Sequence, residues 1–165
     1  MKKLIGALIL VLLLAGCQKD SIEYQTITSS LGDINFNMEK AYELKDDEVI
    51  ENFHMTTYEK ADGKQIRIVS EENAAYVVDE SVLEEELTQV DEIHVERTEI
   101  LDIEGFGKVY GALLDDSQLA GMMFYYKFNA GTTVYTILFI NGEDFTKEEE
   151  AKVKAMITTL KLKEN

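Results

Sequence analysis

The chain has 165 residues, 45% of them hydrophobic, with one cysteine, no proline, 32 acidic and 16 basic side chains, and a formal net charge of −16. That length suits one domain able to bury a useful core. The acidity excludes a nucleic-acid-binding surface, because phosphates recruit Lys and Arg, and it opposes adhesion of the protein surface to anionic lipid headgroups. A lone cysteine leaves no disulfide within the chain, so stability must come from packing.

The chain opens on Lys2 and Lys3, followed by the uncharged stretch from Leu4 to Gly16, which holds 13 residues. A spanning helix needs about 20. Positive start, short apolar run and small residues are instead the layout of a secretory signal. Its end, Leu14-Ala15-Gly16-Cys17, resembles the lipobox of bacterial lipoprotein signal peptides. The resemblance implies cleavage between Gly16 and Cys17, a diacylglyceryl group on the Cys17 thiol and acylation of the new amino terminus. Two or three chains on one residue anchor stably, where one chain binds only marginally. The expected location is therefore a bacterial membrane, extracytoplasmic side, held by lipid. Gln18 is similar to the residue that follows the cysteine in outer-membrane lipoproteins of two-membrane cells.

Residues 1–16 are thus expected as signal, 17–30 as the lipidated cysteine and a polar tether, and 31–165 as a single domain. Within the domain, Ile34, Phe36 and Met38 alternate with Asn35, Asn37 and Glu39, as in a half-buried strand. Lys60-Ala61-Asp62-Gly63 separates two β-prone runs, 52–59 and 64–70, and predicts a hairpin with both central residues at positive φ. Ser81-Val82-Leu83-Glu84 predicts a capping box, with Leu83, Leu87 and Val90 on one helical face and the helix ending near Ile93. A strand is predicted over 96–103. A meander follows over 106–114, 121–128 and 133–140. Its last two strands are apolar on both faces around Met122 to Tyr126 and Val134 to Ile140, which predicts central strands covered on both sides. Thr146-Lys147-Glu148-Glu149 is a second capping box, with Val153, Met156, Ile157 and Leu160 on one face of the last helix.

These elements make an α+β, three-layer α/β/α sandwich with a mainly antiparallel sheet. Their order resembles the PsbP-like fold of photosystem PsbP proteins and DcrB-type bacterial lipoproteins, through residues 33–38, the Ser81 helix, 105–112, 125–135 and the Thr146 helix. A cystatin-like α+β domain is the alternative. No photosystem-binding residue can be matched, so that role is not implied.

Motifs for chemistry are sparse. His54 and His94 are the only histidines, and His94-Val95-Glu96 supplies two metal-type donors where zinc needs three or four ligands. Ser70, Ser81 and Ser117 lack a nucleophile elbow. Asp102-Ile103-Glu104-Gly105 lacks the spaced carboxylates of a calcium loop, and Gly105-Phe106-Gly107 lacks the Gly-Lys-Ser/Thr of a phosphate loop. Tyr110, Tyr125, Tyr126 and Tyr135 offer either sheet packing or an aromatic-lined groove. No catalytic residue, metal ligand or cofactor is therefore assigned. The expectation is a monomeric, lipid-anchored, non-catalytic domain that binds a protein or small molecule. A carboxylate-dependent envelope hydrolase and a divalent-cation-responsive accessory protein are the alternatives.

Overall fold

The computed structural model describes residues 22–89, 93–116 and 121–163. Along the chain these form β1 (Tyr24–Thr28), β2 (Ile34–Glu39), β3 (Glu43–Ile50), β4 (Phe53–Glu59), β5 (Gln65–Glu72), α1 (Glu80–Thr88), β6 (Ile93–Ile103), β7 (Gly107–Asp116), β8 (Gly121–Ala130), β9 (Thr133–Ile140), α2 (Lys147–Ile157) and β10 (Lys161–Leu162). Seven strands make one antiparallel sheet in the order β3-β4-β5-β9-β8-β7-β6, and β1-β2-β10 make a second, smaller one.

The two strands apolar on both faces, β8 and β9, lie side by side in the middle of the large sheet, as expected. Their faces meet different layers. Phe124, Tyr126, Phe128, Tyr135, Ile137 and Phe139 point into the main core, with Ile34, Phe36 and Met38 of β2 and Val153, Met156 and Ile157 of α2. On the opposite face α1 covers β7 and β8, its Leu83 and Leu87 meeting Ala112, Leu114 and Met123, while Leu138 and Ile140 of β9 are half-buried at its margin, short of the two-sided cover expected for β9. Two layers thus flank the sheet, and one of them is mixed: α2 beside the small sheet. This is the sandwich expected from the sequence, with strand 34–39 in a covering layer.

Four details differ from the sequence expectation. First, Tyr24–Thr28 lie in the stretch expected as tether, yet pair along β2 in register from Tyr24↔Glu39 to Thr28↔Asn35. Ile27 packs on the main core. Second, β3 was not expected. Its sequence ELKDDEVI is exposed at seven of eight positions, so it shows no buried periodicity. Third, α1 is capped by Asp79, whose Oδ1 accepts from Val82 N at 2.9 Å, while the Ser81 hydroxyl donates to the same carboxylate at 2.7 Å. A carboxylate at a helix start satisfies free amides and meets the positive dipole end, so Ser81 is displaced from the cap. The helix ends at Thr88, and Ile93 already belongs to β6. Fourth, only Gly63 of the β4–β5 turn takes positive φ, at 87°. Lys60 N donates to Lys64 O at 2.9 Å, closing a longer turn than the two-residue type. The second capping box forms as expected: Thr146 Oγ1 accepts from Glu149 N, and Glu149 Oε2 accepts from Thr146 N at 2.8 Å.

Candidate functional site

Gly16, Cys17, Gln18 and Ser117 lie outside the described residues. The other residues singled out from the sequence are dispersed. His54 Nε2 and Asp47 Oδ1 stand 2.8 Å apart, and the same oxygen accepts from Thr56 at 2.8 Å. Ser70 is opposite His54 in the β4–β5 ladder, but its hydroxyl donates to the His54 backbone carbonyl and is buried. The two side chains share one face of the sheet, but the hydroxyl is engaged by that carbonyl and closed to solvent, and the imidazole meets Asp47 instead. His94 Nε2 stands 3.6 Å from Glu96 Oε1, with three-quarters of its side chain exposed. Among the described residues, no three of His, Asp and Glu converge to hold a metal ion. Asp102 and Ile103 end β6, and Glu104 to Phe106 form the β6–β7 turn, in which Phe106 N donates to Ile103 O.

The four tyrosines divide two and two between the faces. Tyr110 and Tyr125 lie on the α1 side; Tyr126 and Tyr135 lie in the main core. Tyr125 donates to Glu86 Oε2 at 3.2 Å; Lys127 Nζ donates to both oxygens of that carboxylate, at 2.5 and 2.7 Å, and the Tyr76 hydroxyl donates to Oε1. Burial pushes the Glu86 pKa up, but Lys127, Tyr76 and Tyr125 outweigh it and hold the carboxyl below its ordinary value. These donors fill the carboxylate's lone pairs. The network clamps α1 to β8 and leaves no polar atom for a ligand. Tyr135 bonds Ser29 at 3.0 Å, and burial first, then nearby Asp33, pushes its phenol up to about 12. A single aromatic groove therefore does not form.

One cleft combines a cavity with free polar chemistry. It measures about 420 Å³, between α2 and the β6 edge, and is lined by Arg97, Glu99, Phe124, Tyr126, Lys147, Glu150, Ala151 and Lys154. A bulge builds it. Val95 pairs with Leu114 and Arg97 with Leu113, leaving Glu96 as the extra residue. Such an insertion changes which side chains share a face. Ile93 and Val95 therefore turn toward α1, whereas Arg97, Glu99, Leu101 and Ile103 turn toward α2. Gly111 shapes the floor: a Cβ there would stand 2.6 Å from the Tyr126 ring, so only glycine lets that ring lie on the backbone. Phe124 and Tyr126 stack with centroids 6.1 Å apart at 6°, and the Arg97 guanidinium lies 5.5 Å from the Phe124 ring.

The walls are charged. Arg97 Nη2 meets Glu150 Oε2 at 2.7 Å, Lys154 Nζ meets Glu99 Oε2 at 3.3 Å, and the Tyr126 hydroxyl donates to Glu99 Oε1 at 2.8 Å. Burial first, then Glu99, pushes the Tyr126 phenol far above its ordinary range, so it acts only as a neutral donor. A larger, shallower groove of about 560 Å³ runs along the α1 start past Asp79, Glu80, Ser81 and Glu84. Asp79 is already engaged there as the helix cap. The α2–β6 cleft has no local signature, because its residues lie far apart along the chain and converge only through the bulge. Ile93, Val95, Leu101 and Ile103 keep one alternating phase in the sequence, and only the bulge sends them to different faces.

No family model and no curated protein matches the chain. Solved structures do resemble it. The fold is similar to that of the solution structure of cyanobacterial PsbP (CyanoP) from Synechocystis sp. PCC 6803, with a TM-score of 0.61 and 10% identity over 92% of this chain and 99% of that one. A TM-score of 0.47 and 13% identity relate it to the Ran-binding protein Mog1p of Saccharomyces cerevisiae, over 85% of this chain and 95% of that one. The architecture is thus an α+β sandwich of the PsbP-like type, as expected in preference to the cystatin-like alternative. At such low identity the likeness establishes fold and leaves function to the site.

Proposed function

We propose that the chain is a lipid-anchored, non-catalytic binding or accessory domain on the extracytoplasmic side of a bacterial membrane. The non-catalytic part rests on one observation: every described carboxylate with a displaced pKa is displaced downward. Lys64 first, then Thr146, holds Glu149 at about 2. Thr56 and His54 lower Asp47, Gln65 and Lys45 lower Glu59, and Ser81 and Val82 lower Asp79. Acid catalysis by a carboxyl needs the reverse, a proton retained near neutrality through burial or a second carboxylate. These carboxylates are held ionised as ion-pair partners and caps.

The anchoring part is supported by Leu14-Ala15-Gly16-Cys17 and by where the domain begins. From Cys17 to Tyr24, the start of β1, an extended chain reaches about 25 Å. A short leash of that kind holds the domain near the bilayer while its acidity keeps the protein surface off anionic headgroups. The test is metabolic labelling with a fatty acid in a bacterial host. Wild type is expected to take up label and fractionate with membranes. Cys17→Ser is expected to lose the label and to remain unprocessed or be released. Label and normal processing retained in Cys17→Ser would refute the anchor.

A further inference from the structure

We propose that the α2–β6 cleft binds a small organic carboxylate. The proposal rests on the reading of this domain as a binder. The first argument is charge. The whole chain has twice as many acids as bases, yet here Arg97, Lys147 and Lys154 face only Glu99 and Glu150. Both acids are engaged, Glu99 by Tyr126 and Lys154, Glu150 by Arg97. Lys147 has no partner among the described residues. The surplus is one positive charge, which one monoanion neutralises.

Shape supplies the second argument. Phe124 and Tyr126 stack in parallel and close the floor, 3% and 1% exposed, so what the cleft presents to a ligand is its charged wall. A cavity of about 420 Å³ falls in the size range of small-ligand sites. Arg97 presents a planar fork suited to a carboxylate. Its present occupant is the Glu150 carboxylate, held by one contact at 2.7 Å, with nearly half of the Arg97 side chain exposed. Glu150 is therefore the internal stand-in for the ligand, and an incoming carboxylate must displace it.

That competition gives a test with a signed outcome. Full-length protein in nonionic detergent is titrated with phenylacetate, with 2-phenylethanol as the uncharged control, and amide shifts are followed by NMR. Phenylacetate is expected to saturate, with shifts centred on β6 and the start of α2, and the alcohol is expected to cause none there. Arg97→Gln and Lys147→Gln should each weaken binding about tenfold, the loss expected for one charge-assisted hydrogen bond. Glu150→Gln should tighten it, because the competitor is removed. Lys108→Gln, on the opposite face, should change nothing. Thermal melts check that each variant is folded; all four side chains sit at the surface or its margin. The proposal is overturned by no saturation up to about 50 mM, by equal binding of the alcohol, or by binding that Glu150→Gln leaves unchanged or weakens. None of these variants touches lipid labelling, so failure here is separable from failure of the anchor.

Discussion

Glu149 shows how one carboxylate can serve local and distant structure together. Its Oε2 closes the α2 capping box by accepting from the Thr146 amide and hydroxyl, at 2.8 and 2.7 Å, while its other oxygen meets Lys64 from the β4–β5 turn. Helix α2 is thereby capped and tied to the large sheet by one side chain. The consequence for pH has a definite sign. The carboxyl is depressed from 4.5 to about 2. A depressed acid stabilises the folded state fully above its unfolded pKa, and that contribution fades as pH falls from 4.5 toward 2. Glu149→Gln should therefore cost about 1–2 kcal/mol at pH 7, the value of a good cap with a charged partner. The gap to wild type should close by pH 2. Parallel urea melts at pH 7 and pH 2.5 measure this. A constant difference across that window would mean that ionisation of Glu149 contributes nothing.

Among the elements, β6 carries the most consequential irregularity. Read in alternation, Ile93, Val95, Leu101 and Ile103 would share one face. The bulge at Glu96 divides them between the two cores and leaves Arg97 and Glu99 for the cleft. Removing the extra residue keeps both phases, because Val95 and Arg97 already occupy consecutive ladder positions. Deletion of Glu96 is thus expected to preserve the fold with a small loss of melting temperature, whereas deletion of Thr98 must throw one half of the strand out of phase. Equal losses in the two deletions, by circular dichroism, would contradict the bulge assignment. The same physics explains what was legible in the sequence. The Thr146 box and β9 were readable because cap chemistry and two-sided apolarity are local signals. Strand β1, with its outer side chains Thr26 and Thr28 bonded to Asn37 and Asn35, and strand β3, exposed along both faces, owe their structure to the neighbouring strand. Their own residues carry no period to read. Asp79 and Ser81 can both cap by residue type, and only geometry shows that the Asp79 carboxylate is the group that reaches Val82 N. The cleft is the extreme case, since it exists only once β6, β7, β8 and α2 have met.

At the level of the molecule, the large sheet has two unequal faces, and they set how stability is distributed. The side toward α2 and the small sheet is sealed: Ile137 and Phe139 of the central strand are 0% and 1% exposed. Helix α1 covers the other side only over β7 and β8, so Leu138 and Ile140 stay half-buried. Beyond them Phe53 and Ile50 remain exposed, toward the β3 edge. That edge is itself charged, with Glu43, Lys45, Asp46, Asp47 and Glu48 along β3, a pattern that discourages strand addition along it. Charge introduced into the two faces should therefore have unequal cost. Ile137→Asp places a carboxylate in a sealed apolar layer, a penalty of the same order as the roughly 5–15 kcal/mol that holds a domain folded. Leu138→Asp, one residue along, can turn its carboxylate to water at the uncovered margin. The expected result is loss of cooperative unfolding in the first variant, a lowered but cooperative transition in the second, and a change within about 0.5 kcal/mol for Glu85→Lys on the exposed side of α1. Circular dichroism melts of the three rank them. If Leu138→Asp proves as damaging as Ile137→Asp, the far face is a second sealed core, and the sheet is buried on both sides over β9 as well as over β7 and β8.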